Sequence, residues 1–304
     1  MLSVVIATFN SARTIAYTLT SLFSNRFSGK NFEVIIVDDG STDNTIEIVK
    51  RFPVKVFCRP HLGHGYARNF GFKAAKGDII CCTDSDVILP NTWLKTISKF
   101  FENHPTVDAI GGPVLPPPAN FYKNKIQKLN AEIYYEDQKF PTKRIKIETF
   151  EWRAYLISAN SAFRKEALLS VGGYPESPII KANDIYVMWR LIEEGKCLVF
   201  VPELKAIHLG FPCTLKGVFK QQYSWGKDKT IITKAYAYRN SYKRAKTKER
   251  IKKELFLFYS ILRSITRLPL HAPRDKQLLR CFHYVAYYLG TLLGRGCKIE
   301  GKFV

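Results

Sequence analysis

Over roughly the first 110 residues, short apolar, β-branched runs alternate with stretches of helical periodicity, and several of the runs end on polar clusters. The apolar runs are Ser3 to Ala7, Glu33 to Val37, Val54 to Cys58, Asp78 to Thr83 and a start at Ala109. Helical patterns cover about Ala12 to Phe23, Asn44 to Arg51, Tyr66 to Ala75 and Asn91 to Glu102. Runs that are apolar without alternation belong to strands covered on both faces. The pattern therefore predicts an α/β fold, a mainly parallel sheet with helices on each side. Ligands of such sheets bind beyond the carboxyl ends of the strands, so the residues that follow each run carry the functional argument.

Those residues are Thr8-Phe9-Asn10, Asp38-Asp39-Gly40-Ser41 and Asp84-Ser85-Asp86. Paired carboxylates repel unless cations or hydrogen bonds compensate them. Asp84-x-Asp86 fits two readings: oxygen ligands for Mg²⁺ or Mn²⁺ with open positions for a diphosphate, or an Asx-turn before Pro90. Asp38 to Ser41 likewise reads as a ligand turn or as a turn with a helix cap. Two such clusters at equivalent ends of neighbouring strands favour the ligand reading. Gly63-His-Gly65-x-x-Arg68 lacks the third glycine of a dinucleotide fingerprint, and the chain has no Gly-x-x-x-x-Gly-Lys-Ser/Thr loop, which excludes nicotinamide enzymes and P-loop nucleotidases.

Past Gly112, prolines 113 and 116–118 mark a bend before a helical stretch from about Phe121 to Tyr135. Leu156 to Phe163 reads as a buried strand, Lys165 to Val171 and Asn183 to Glu194 as helices, and Cys197 to Val201 and Lys205 to His208 as strands. A soft boundary falls near Thr214.

Taken together, Val4 to Asn10, Val37 to Asp43, Ala67-Arg68-Asn69-x-Gly71 and Thr83 to Asp86 resemble, in order and spacing, the family 2 glycosyltransferases of GT-A fold, over residues 1 to about 230. The resemblance implies an inverting enzyme that moves a sugar from a nucleotide-diphosphate donor with the help of Mn²⁺ or Mg²⁺. It implies that Thr8, Phe9, Asn10, Asp38, Asp39, Arg68, Asp84 and Ser85 hold the nucleotide-sugar. Phe9 would pack on the base and Asp39 would accept a base N–H. Asp86 would ligate the metal, with Asp84 beside it.

The second half is similar too, in Ser158 to Arg164 and Val171 to Glu176. Where relatives open a helix with Glu-Asp, this chain has Asn183-Asp184, and the resemblance makes Asp184 the general base; a helix cap is its other reading. His208 follows a strand where some GT-A enzymes place a further metal ligand. Asn160, Trp152 and Trp225 are expected on the acceptor side. Gln221 to Trp225 resembles the Gln-x-x-Arg-Trp signature of processive synthases with Ser224 in place of the arginine; with no spanning helices expected to form a polymer channel, transfer of one sugar is the expectation. The expected divisions are a nucleotide-sugar half (1–112), an acceptor and base half (113–213) and a basic, aromatic helical extension (214–304).

Charge separates that extension from the rest. The chain carries 47 Lys and Arg against 26 Asp and Glu, a net charge of +21, and from Lys205 onward there are 22 basic and 5 acidic residues. The basic stretch Arg239 to Lys253, followed by Leu255 to Leu262 and Cys281 to Gly294, reads as interfacial helices on an anionic membrane surface, with no nucleic acid as partner. The longest uncharged apolar run, Cys281 to Gly294, is too short to span a bilayer. No secretory leader is legible, and seven cysteines without a Cys-x-x-Cys pair suggest reduced thiols. The expected place is the cytoplasmic face of a membrane, and the expected acceptor a lipid-linked or surface glycan. Polyprenyl phosphate is the alternative acceptor. A catalytically silent basic membrane- or nucleic-acid-binding protein on the same scaffold is the reading from another class.

Overall fold

The structure is a computed structural model and describes residues 1–25, 27, 32–148, 156–176, 183–239 and 274–294. Trp152, most of the polybasic stretch and Leu255 to Leu262 lie outside the described residues. The chain divides into two compact units: residues 1–121 with 134–211, and residues 122–133 with 212–304.

The first unit contains the strands β1 (Leu2–Thr8), β2 (Phe32–Asp38), β3 (Lys55–Cys58), β4 (Ile79–Cys82), β5 (Val87–Ile88), β6 (Ala109–Gly111), β7 (Val114–Leu115), β8 (Ile145–Ile147), β9 (Ser161–Arg164), β10 (Leu198–Phe200) and β11 (Ala206–His208). Its helices are α1 (Ile15–Phe23), α2 (Thr45–Val49), α3 (His64–Ala74), α4 (Trp93–Asn103), α6 (Lys165–Ser170) and α7 (Asn183–Glu193), while α5 (Lys125–Gln138) belongs in part to each unit. Among the described residues, eight strands form one sheet in the order β3-β2-β1-β4-β9-β6-β10-β8, and β5-β11-β7 form a smaller one. The strands β3, β2, β1 and β4 run parallel. β9 enters antiparallel between β4 and β6, and β8 closes the edge antiparallel to β10.

The continuous apolar runs are covered on both faces, as expected: Val4, Ile6, Val34, Ile36 and Cys81 share one core with Leu19 of α1 and Trp93 and Ile97 of α4. Each such side chain, fully buried, contributes about 1.5–3 kcal/mol. Helix α3 comes close because of Gly71, where a Cβ would stand 2.4 Å from Val5 Cγ1.

Two sequence expectations change. Asp38 and Asp84 do not follow neighbouring strands: β2 and β4 flank β1 on opposite sides, so the clusters face each other across the point where strand order reverses. The run from Leu156 does not pair until Ser161. Residues 158–160 turn instead, with the Asn160 N–H donating to the Ile157 carbonyl at 2.8 Å.

The second unit contains α8 (Leu215–Arg239) and α9 (Arg274–Gly294). These two helices meet at glycines. A Cβ on Gly226 would lie 1.9 Å from the Tyr287 carbonyl oxygen, and one on Gly290 would lie 1.9 Å from that of Tyr223. Val218 and Leu279 pack with Ile133 in a small core, Ala286 and His283 are buried, and Leu278, Val285, Leu289 and Leu293 are exposed. Burial pushes the His283 imidazole down to about 4, with Arg280 adding to the effect. No helix among the described residues is long and apolar enough to cross a membrane.

Candidate active site

The site begins at the end of β1. Asn10 takes a left-handed backbone (φ 49°), which asparagine tolerates better than most residues, and its side-chain oxygen accepts the Thr42 N–H at 2.8 Å. Thr8 is buried and its carbonyl accepts the Asp39 N–H at 2.8 Å. The β1 end is thereby tied to the β2 turn, where Gly40 has φ 82°. Asp38 is spent on that turn: it accepts both the N–H and the hydroxyl of Ser41. Its carboxylate is buried and bonded to the turn it folds.

Asp39 is oriented differently. It accepts the backbone N–H of Leu62 (2.9 Å) and of Gly63 (3.0 Å). Its Oδ2 also lies 2.9 Å from Nδ1 of His61. The His61 ring stacks on Phe9, with centroids 4.1 Å apart and planes at 25°.

On the other side of β1, Arg68 reaches Asp84 at 2.5 Å and lies over the Tyr174 ring at 5.4 Å. Burial opposes the Arg68 charge, but Asp84 together with Tyr174 and Cys82 holds the guanidinium above its ordinary value. Ser85 shares a hydrogen bond with Ser11 at 2.8 Å. The register of β11 against β5 sets His208 opposite Val87, which brings Nε2 to 3.4 Å from Asp86 Oδ1. Ligand atoms of Asp84, Asp86 and His208 all lie within 4.8 Å of one another. Two carboxylate oxygens and one imidazole nitrogen form a donor set that fits a divalent cation. Burial raises the Asp86 carboxyl above its ordinary range, Asp84 adds to that, and His208 opposes it. Such a group gains from a cation. Gly210 makes room for it: a Cβ there would stand 1.8 Å from Asp86 Oδ2.

Asp184 occupies the first turn of α7, with Oδ1 accepting the Ile185 N–H at 2.9 Å. Burial pushes it up to about 6; Ile185 and Arg68 oppose the shift, and Asp84 adds to it. A carboxylate so poised is basic enough to take a proton near neutral pH.

Of the three residues expected on the acceptor side, Asn160 is the one described in the first unit. Asn160 is fully buried, not open to an acceptor. Its amide oxygen accepts from Trp93 Nε1 at 2.8 Å and its nitrogen donates to the Pro113 and Leu204 carbonyls. All of its hydrogen-bonding reach braces these segments. Trp152 lies outside the described residues, and Trp225 is on α8 in the second unit.

The sequence motifs include Asn69 and Tyr174 without assigning them a role, and they do not include His61. Asn69 clamps the turn at Gly173 and Tyr174: it donates to the Tyr174 carbonyl and accepts the Tyr174 N–H, both at 2.8 Å. A Cβ on Gly173 would collide with its oxygen at 2.4 Å. Tyr134 is a further, half-buried neighbour, its phenol pushed up by burial and by Asp184 and Asp84.

A family model described as Glycosyl transferase family 2 matches residues 3–172. The poly-beta-1,6-N-acetyl-D-glucosamine synthase of Staphylococcus aureus (strain COL) is 28% identical over 228 residues, covering 73% of this chain and 53% of that protein. The poly(ribitol-phosphate) beta-N-acetylglucosaminyltransferase TarS of S. aureus (strain Mu50 / ATCC 700699) is 25% identical, over 62% of this chain and 39% of its own length. The chain thus spans about half the length, or less, of these curated relatives. Among solved structures, the mannosyltransferase PcManGT of Pyrobaculum calidifontis, in complex with GDP-Man and Mn²⁺, superposes with a TM-score of 0.62 at 19% identity, over 96% of this chain and 86% of that one. S. aureus TarS 1–349 in complex with UDP-GlcNAc gives a TM-score of 0.52 at 18% identity, over 97% and 91%. The fold is therefore that of the GT-A transferases.

Proposed function

Because the chain belongs to glycosyl transferase family 2, we propose that it moves a single sugar from a nucleotide-diphosphate sugar to an acceptor hydroxyl on a glycan, with inversion. The observation that carries this reading is the convergence of Asp84, Asp86 and His208 within 4.8 Å, across β1 from Asp39 and Phe9. A divalent ion held by these three residues would neutralise charge on the departing diphosphate. Phe9 offers the base an aromatic face and Asp39 accepts its N–H. Asp184 takes the proton of the acceptor hydroxyl as its oxygen bonds to the anomeric carbon, and the bond to the diphosphate breaks with its electrons going to the leaving group. Arg68, paired with Asp84, keeps positive charge beside the site. Relatives that act on glycans and neighbours solved with UDP-GlcNAc, or with GDP-Man and Mn²⁺, support the donor class and the metal. Ser224, in place of the processive signature's arginine, supports transfer of one sugar.

The test is Mn²⁺-dependent turnover of UDP-GlcNAc and GDP-Man. Loss of turnover on chelation and in Asp184→Asn supports the proposal. Unchanged turnover in Asp184→Asn would favour a phosphate acceptor, which needs no base.

The second unit supports an accompanying placement on an anionic membrane surface, at the cytoplasmic face. Leu278, Val285, Leu289 and Leu293 form an exposed apolar row on α9, and the surrounding sequence is basic. Apolar burial at the headgroup boundary and attraction to anionic lipid act together. Co-sedimentation with anionic but not neutral vesicles is expected, and absence from both pellets would refute it.

A further inference from the structure

His61 satisfies the same two requirements that a nucleobase would meet in the proposed donor site. Its ring lies flat on Phe9, centroids 4.1 Å apart, and its Nδ1 sits 2.9 Å from the Asp39 carboxylate, within reach of the Asp39 carbonyl as well. A ring with an N–H donor, stacked on this phenyl group and aimed at this carboxylate, reproduces the contacts of uracil N3–H or guanine N1–H. The Leu62 and Gly63 N–H groups fix the carboxylate from the backbone side. His61 and a base therefore compete for the same face and the same acceptor. The imidazole is 59% exposed, so it can leave without disturbing the core.

We infer that His61 is a built-in occupant of the base subsite, a latch that the nucleotide must displace before the donor binds. The inference rests on the reading of Phe9 and Asp39 as the base site. Its consequence is selective. A site that is competent only when His61 is out has its apparent affinity reduced by the competent fraction, and that reduction applies to any ligand that carries a base. A ligand that lacks one, such as pyrophosphate, escapes it. His61 thus narrows the preference for nucleotides over free diphosphate and keeps the Asp39 carboxylate partnered in the empty chain.

The experiment is calorimetric titration of the full chain in Mn²⁺ with UDP, GDP and inorganic pyrophosphate, for the wild type, His61→Ala and Phe9→Ala. For whichever nucleotide the wild type binds more tightly, His61→Ala is expected to tighten binding about threefold to tenfold and to leave pyrophosphate unchanged. In parallel, the His61 imidazole protons, lying over the Phe9 ring, carry a ring-current shift in the proton spectrum. The nucleotide is expected to abolish it and pyrophosphate to leave it. A His61→Ala variant that binds the nucleotide with equal or weaker affinity, or a ring-current shift that persists in the nucleotide complex, would overturn the latch. The underlying reading fails separately: if Phe9→Ala leaves nucleotide affinity unchanged, or no nucleotide binds at all, the base does not use this slot and the latch falls with it. If Phe9→Ala weakens the nucleotide while His61→Ala does not tighten it, the base site stands and the latch alone is refuted.

Discussion

At Gly210 in the first unit, and at Gly226 and Gly290 in the second, the lack of a side chain lets two groups come closer than a Cβ would allow. What approaches differs. At Gly210 it is the carboxylate of Asp86, while at Gly226 and Gly290 it is the backbone carbonyl of the opposite helix. In the first unit the space serves a charged group that burial has already made costly, so a substitution should act on ligand binding. In the second unit the space serves packing, so the same substitution should act on stability. The strand-end unit concentrates titratable groups and holds Asp38, Asp39 and Asp184 with backbone N–H groups and Asp84 with Arg68. The described part of the helix pair buries small residues and leaves an apolar row outside.

The contrast is tested most severely at Asp184. Asp184→Asn keeps the shape and removes the carboxylate proposed as the base, so turnover should fall about 10² to 10⁴-fold while nucleotide affinity stays near wild type. The wild-type rate should rise with pH on an acid limb at about 6 or below, because the reactive form is the carboxylate and burial has raised its pKa. A bound cation shifts that limb downward. A pH profile of kcat for both proteins checks this, and the limb should be missing from the residual activity of the variant.

Next in size is Gly210→Ala. Displacing Asp86 should weaken Mn²⁺ about 10 to 100-fold, the scale of losses when a ligand's support is altered, with little change in melting temperature. Gly226→Ala should reverse that pattern, costing about 1–3 kcal/mol of stability through overpacking with metal affinity unchanged. Metal titration and thermal unfolding of both variants decide whether the two close approaches have separate uses. The smallest effect is expected from Leu289→Glu, an exposed position: stability should change by less than about 0.5 kcal/mol, while co-sedimentation with anionic vesicles falls.

Legibility in the sequence follows the range of the interactions. Asn10, Asp38, Ser41 and Asp39 act on backbone a few residues away or on the next strand's turn, and their turn chemistry was visible as such. The alternation of apolar runs gave the sheet and its helices because periodicity is local. What was not visible depends on distant partners. Asn160 is expected on the acceptor side, yet its amide is bonded to Trp93, Pro113 and Leu204, which only the fold brings together. His61 has no signature of its own, and Tyr174 lies in a motif that assigns it no partner; they matter because a loop and a turn deliver them to Asp39 and Arg68. Cys281 to Gly294 was legible as a helix, but which face is covered depends on α8: Ala286 and Gly290 turn toward it, and the residues left exposed follow from that contact.

The central claim is that Asp84, Asp86 and His208 form a metal site through which a nucleotide-diphosphate sugar is held. The most direct measurement is calorimetry of UDP and GDP binding to the wild type and to Asp86→Ala, each with Mn²⁺ and with chelator. The account predicts binding to the wild type that requires Mn²⁺ and is lost in Asp86→Ala, with both proteins folded by circular dichroism. Equal nucleotide affinity for the two proteins in Mn²⁺, or binding to the wild type that chelation leaves untouched, would contradict it.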